Sequence, residues 1–199
     1  MKKILFLSVI AGSLLVSCNN NKPKPGEVVL KDDDGGTTTV NMNALQQAAD
    51  NSEKKTAELA KLKPYTTDEI KAFFPEELMG MKRTEYAANA MMGFASGSAE
   101  YKKDDSTRLK LELFDCAGEA GSAFYGLQYL AVMQTEKDSE DEYMKTTDFN
   151  GGRAIETVYK KQNRNSFVYF GGDRLMVTLT GENIPLSEVK SVASKLALK

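Results

Sequence analysis

Histidine is absent from this 199-residue chain. Its absence removes the commonest general base, the usual partner of a serine or cysteine nucleophile, and the commonest zinc ligand. Hydrolase and zinc chemistry are disfavoured accordingly. Cysteine is nearly missing too, at two residues, Cys18 and Cys116. An excess of positive charge is also lacking: 28 acidic side chains stand against 26 basic ones. That balance argues against a nucleic-acid partner, which needs a concentrated basic face, and against electrostatic docking on anionic lipid. Beyond the first eighteen residues no stretch is both long and apolar enough to span a bilayer.

What is present begins at the amino terminus. Lys2 and Lys3 precede Ile4 to Val16, an apolar run of about thirteen residues, too short to span a membrane and laid out like a secretory signal. It closes on Leu15-Val16-Ser17-Cys18, which resembles the bacterial lipobox. The alternative is an ordinary secretory signal with a coincidental cysteine. The resemblance implies removal of residues 1–17 and acylation of Cys18, so that the protein is held at a membrane surface without crossing it. It further implies that Cys116 has no intramolecular partner, and the fold must then rest on a hydrophobic core. With 41% hydrophobic residues one core is feasible.

The leader and the asparagine-rich start Cys18-Asn19-Asn20-Asn21 are similar to small lipoproteins of Bacteroidetes-type bacteria. In that group an acidic patch directly after the cysteine resembles a surface-export signal. Here the acidic triplet begins only at Asp32, which favours an outer-membrane anchor facing the periplasm.

Residues 18–41 are polar and rich in Pro, Gly and Asn, and read as a flexible tether. The triplet Asp32-Asp33-Asp34 lacks the alternating spacing of a calcium loop. From Asn43 to Lys63, Leu45, Ala48, Ser52, Thr56 and Leu59 recur at helical spacing, predicting a weakly docking helix or stalk that Pro64 ends. Thr66-Thr67-Asp68-Glu69 fits a capping box for a short helix through Ile70, Phe73 and Phe74.

Strands are expected over Leu78–Ala90, Ser98–Lys103 and Arg108–Asp115, the last alternating cleanly. A helix over Glu119–Gln134 should bury Ala120, Ala123, Phe124, Leu127, Leu130 and Ala131. Strands follow at Tyr143–Phe149, Arg153–Lys160, Ser166–Phe170 and Arg174–Thr180, joined by turns carrying Asn-Gly-Gly, Asn-Arg-Asn and Gly-Gly-Asp. A last helix runs from Pro185 to Leu196. The order predicts an α+β domain over residues 42–199, an antiparallel sheet of about seven strands with helices on one face.

Candidate sites each carry a bland alternative. At Asp115-Cys116-Ala117-Gly118 a strand end turns into a helix start, whose free donors could hold an anion and favour a thiolate on Cys116. The alternative is a half-buried cysteine beside a tight turn. Tyr125 and Tyr129, with Tyr159, Phe167 and Tyr169, could line a groove for a peptide, glycan or lipid, or simply fill the core. Met79, Met81, Met91 and Met92 could be Cu(I) ligands, but core filling is the better reading. The acidic loop Glu136–Glu142 could collect a cation, although its spacing matches no known cage. No cofactor or metal is called for.

Residues 66–199 resemble the PsbP-like α+β sandwich in element order, with Phe74-Pro75 leading into Leu78-Met79-Gly80. That resemblance implies a non-enzymatic partner-binding module. The expected function is therefore an envelope-anchored binding module with an envelope protein partner. The alternatives are a carrier or sensor of a small apolar or anionic ligand, and an enzyme working without histidine through Cys116 or a carboxylate pair.

Overall fold

The computed structural model describes residues 27–31, 37–131 and 136–198. Its chain divides into two compact units, Met1–Ala48 and Ala49–Lys199, with the boundary inside helix α1 (Met42–Ala60). The first unit holds an antiparallel hairpin of β1 (Glu27–Lys31) and β2 (Thr37–Asn41), with Val28 opposite Val40. Sequence composition reads this stretch as tether throughout. The β-branched runs Val28-Val29 and Thr37-Thr38-Thr39-Val40 nevertheless suit paired extended backbone.

The second unit contains the body. After α1 come α2 (Thr67–Ala72), β3 (Glu77–Leu78), β4 (Met81–Met91), β5 (Phe94–Lys102), β6 (Arg108–Asp115) and α3 (Gly118–Ala131). Then follow β7 (Glu136–Asp138), β8 (Glu142–Phe149), β9 (Gly152–Tyr159), β10 (Arg164–Gly171), β11 (Leu175–Glu182) and α4 (Leu186–Lys195). The class is α+β, as expected, but the sheet has nine strands and not seven, in the order β3-β4-β5-β6-β11-β10-β9-β8-β7. The two additions are short edge strands. A turn at Met79-Gly80, with φ of 55° and 73°, splits β3 from β4. The other, β7, forms inside the acidic loop, where Lys137 Nζ reaches Glu142 Oε1 at 2.7 Å.

Residues directly opposite one another across a ladder share a face. Leu109, Leu111 and Leu113 of β6 oppose Gly181, Leu179 and Val177 of β11 on one side, and Tyr101, Ala99 and Gly97 of β5 on the other. With Phe167 and Tyr169 of β10 they make the inner face, onto which α2 and α4 pack Ile70, Phe74, Val189, Val192 and Ala193. The capping box of α2 is present, Glu69 N donating to Thr66 Oγ1 and Thr66 N to Glu69 Oε2.

The outer face changes along the strands. At the end where β6 meets α3 it carries Phe94, Phe114, Phe170 and Met176, and at the other end Lys102, Arg108, Glu182 and Arg164. Phe114, Phe170 and Met176 of this end pack against a second cluster made by Leu59 of α1, Cys116 before α3 and Tyr125 of α3. Of the weak face predicted for α1, Ser52 and Leu59 are buried. No helix among the described residues is long and apolar enough to cross a membrane.

Helix α3 presents a different side from the one its hydrophobic pattern suggests. Ala120, Ala123 and Phe124 are exposed, and Gly121, Ser122 and Tyr125 are buried. A Cβ at Gly121 would lie 2.7 Å from both the carbonyl oxygen of Asp115 and the carbonyl carbon of Cys116. The side without side-chain bulk is thus the one that lies against the strand end, and closeness decides the docking more than hydrophobicity does. The expected Leu127, Leu130 and Ala131 have side chains outside the described residues, as do positions 132–134.

Candidate functional site

The strongest local feature of the sequence, the turn from β6 into α3, is built around an internal anion. Asp115 is fully buried. Its Oδ1 accepts from Ala117 N at 3.1 Å and Arg174 Nε at 2.9 Å. Its Oδ2 accepts from Tyr65 N at 2.7 Å and Arg174 Nη2 at 2.6 Å. A bidentate guanidinium and two backbone donors thus satisfy a carboxylate that would otherwise be too costly to bury.

Arg174 also donates to Lys63 O at 2.9 Å and lies 3.6 Å from the centroid of the Tyr65 ring. Burial draws its pKa down, but hydrogen bonds and the charge of Asp115 outweigh this and leave it above the ordinary guanidinium value. Arg174 therefore stays a cation at any pH the fold tolerates.

Gly118, the first residue of α3, has φ of 78°. A Cβ there would meet Gly93 O at 2.9 Å and Cγ of Pro64 at 3.0 Å. Protein atoms therefore crowd the space in front of the helix, and Asp115 occupies the donor of Ala117. Cys116 lies beside that turn, but more deeply than the half-buried alternative has it. It has no exposed surface, and burial first, with the Asp115 charge adding to it, pushes its thiol up to about 12. Such a thiol remains protonated and is a poor nucleophile.

Tyr125 lies over the same cluster, tilted against Phe170 with ring centroids 4.7 Å apart. Beside it opens a cleft of about 610 Å³, bounded by α1 (Asn51, Lys55), the β8–β9 turn (Asn150 to Arg153) and the outer side of β10 and β11 (Phe170, Met176). Lys55 Nζ stands 5.9 Å from the Phe170 ring centroid. At the opposite margin Arg153 pairs with Asp148 at 3.2 Å. The cleft thus offers an aromatic floor, the cation Lys55 on its helical wall, the Arg153–Asp148 pair at its rim and a further carboxylate at Asp173. Its volume falls within the roughly 300–1,000 Å³ typical of small-molecule sites.

Of the aromatic residues expected in a groove, Tyr125 and Tyr169 border this cleft. The Tyr169 hydroxyl, however, is turned towards α4, donating to Ala193 O at 3.2 Å. Phe167 is fully buried in the inner-face core. Tyr159 lies at the charged end of the outer face, where the Arg164 guanidinium stacks 4.1 Å from its ring centroid. Tyr129 belongs to α3, but its side chain lies outside the described residues, as does Cys18.

Sequence reasoning did not single out Phe170, Lys55 or the Asn150-Gly151-Gly152 turn as cleft residues. Consecutive aromatics at Tyr169 and Phe170 face opposite sides of the sheet, and only the register of β10 tells which side is which. The methionines also separate. Met81 is buried in the core, whereas Met79 sits in a turn and Met91 and Met92 are exposed, so core filling holds for Met81 alone. No group of three or more Cys, Asp or Glu among the described residues is placed to hold a metal ion.

No protein-family model matches the chain, and neither a curated protein nor a solved structure is significantly similar to it.

Proposed function

We propose that this protein is a bacterial envelope lipoprotein, anchored through acylated Cys18, whose body binds another envelope component without turnover. The observation that carries the binding role is the cleft between α1, the β8–β9 turn and β10–β11. It combines aromatic surface at Phe170 and Tyr125 with a cation at Lys55 and polar turn residues. Against a chemical role stand the absence of histidine and the burial of Cys116, the one thiol the lipobox reading leaves free. The resemblance of the element order in residues 66–199 to the PsbP-like sandwich implies a binding module as well.

A photo-crosslinking residue placed at Asn51 or Asn150, both exposed at the cleft margin, tests this in growing cells. The reading expects one crosslinked species from both positions and none from Asp105 on the distant β5–β6 turn. Equal crosslinking from all three positions, or none from the two cleft sites, would contradict it.

A second reading, a carrier of a small apolar or anionic ligand, is favoured by the cleft volume and by Lys55 on its wall. Native mass spectrometry of protein taken directly from cells separates the two. A carrier retains a small bound mass that Lys55→Glu abolishes, and a protein-binding module does not.

A further inference from the structure

Outside the cleft, one end of the sheet carries apolar side chains that the fold does not use. The β4–β5 turn places Met91 and Met92 at its tip, 60% and 84% exposed. Met92 has φ of 53°, in the left-handed region that glycine or asparagine occupies at little cost and a methionine does not. The chain thus holds a large apolar side chain in water at a position where its backbone is also disfavoured. Local stability would be better served by Asn, which the same protein uses with positive φ at Asn150 and Asn163.

The tip is not isolated. A Cβ at Gly93 would lie 3.9 Å from that of Ala120, and Gly93 O and Pro64 both approach Gly118. The start of α3 and the turn before Tyr65 therefore adjoin the tip. Both add exposed apolar groups: Ala120, Ala123 and Phe124 from α3, and Leu62 from the turn. Phe124 leans on Phe114 at 4.5 Å, which stacks on Phe94 at 5.3 Å, so the exposed ring is backed by a rigid column. Lys61 and Lys63 flank Leu62 and are exposed, and Glu119 is the acidic residue at the start of α3.

From this geometry we infer that the Met91-Met92 tip, with Leu62 and Phe124, dips into the interfacial region of a lipid bilayer. A protruding turn of flexible thioethers suits acyl chains, which have no fixed shape to match, and lysines beside it suit phosphate headgroups. The contact is primarily apolar, so the chain's slight acidic excess does not oppose it. The inference rests on the proposed anchor at Cys18, 31 residues before Ala49 (49 − 18), which keeps the body at high local concentration beside a membrane. The tip then acts as a second, weak membrane contact that orients the body.

The test uses the mature protein purified from membranes and carrying Met92→Cys, labelled with an environment-sensitive fluorophore and reconstituted on phosphatidylethanolamine–phosphatidylglycerol vesicles. Cys116 is buried and does not compete for the label. An identical label at Asp105→Cys is the control, and intact mass reports acylation independently. The inference expects blue-shifted emission and quenching by doxyl lipid at position 92, with quenching only by aqueous iodide at position 105. Adding Lys61→Glu and Lys63→Glu should weaken the lipid quenching on these vesicles.

An acylated protein whose label at 92 stays accessible to iodide overturns the inference and leaves the anchor standing. An unacylated protein defeats the anchor; with its then-free Cys18 replaced by Ser before labelling, lipid quenching at 92 still decides the tip. A blue shift that rises with the protein-to-lipid ratio without doxyl quenching points to a second copy. One that needs added envelope extract points to a protein partner. Either outcome overturns the bilayer as occupant.

Discussion

Arg174, at the entry to β11, grips Asp115, at the exit of β6, through both carboxylate oxygens, with contacts of 2.9 and 2.6 Å. The pair also gathers Tyr65 N, Lys63 O and Ala117 N. One buried ion pair thus ties the linker before α2, the start of α3 and two central strands together. The cleft shares β11 and α3 with this node, and the methionine tip adjoins its linker and the start of α3.

Arg174→Ala removes the cation and leaves a fully buried carboxylate with two backbone donors. Losing one partner of such a pair costs about 3–5 kcal/mol. Urea denaturation should show a loss of that order, whereas Lys110→Ala, at an exposed pair with Glu112, should change stability by less than about 1 kcal/mol.

Two glycines of α3 should respond to alanine with opposite signs. At Gly121 the new methyl would meet backbone of Asp115 and Cys116, so the helix must shift, at a cost of about 1–3 kcal/mol that exceeds the helix-propensity gain. At Gly126 the nearest group is Thr56 Oγ1 at 3.5 Å, an ordinary contact. There alanine should stabilise by about 0.5–1 kcal/mol. Paired thermal melts decide it: a rise in Tm for Gly121→Ala would show that α3 docks on another side.

How much of this was readable beforehand depends on range. Thr66 and Glu69 announce their capping box because the interaction spans three residues, and β6 announces its faces because Leu109, Leu111 and Leu113 alternate with charged residues. The α3 face is not legible because Gly121 and Ser122 contribute closeness, which no hydrophobicity pattern records. Asp115 and Arg174 are 59 residues apart, so nothing local in the sequence shows that the chain supplies its own anion at the start of α3. β7 escaped notice because Glu136-Lys137-Asp138 has no apolar alternation and is held by backbone pairing to β8. Tyr125 both packs in the outer-face cluster and borders the cleft, and its neighbours there depend on strand register, which sequence leaves open where aromatics occur on both faces.

Acid should expose the β5–β6 turn. Asp104 accepts from Ser106 N, Ser106 Oγ and Thr107 N, and these hydrogen bonds, those of Ser106 foremost, lower its pKa to about 2. Because the folded value lies below the unfolded one, the unfolded chain takes up the proton first as pH falls. The turn's contribution is complete above the ordinary carboxylate range and is lost as pH drops through it towards about 2. Asp104→Asn should therefore flatten this part of the acid limb of the stability profile, measured by urea midpoints across that range. An unchanged acid limb would contradict the assignment.

Cys116 should be silent to a thiol reagent at pH 8 in the folded protein and react fully once the chain is unfolded. Its thiol sits well below its pKa of about 12 at that pH and has no exposed surface. Rapid reaction in the folded state would restore the nucleophile reading that burial argues against.

The central claim, a body tethered to an envelope membrane by lipid on its first mature residue, is tested most directly by mass spectrometry of the amino-terminal peptide isolated from cells. The account predicts a peptide starting at Cys18 and carrying acyl chains on sulfur and nitrogen. A peptide retaining residues before Cys18, or an unmodified cysteine at the terminus, would contradict it.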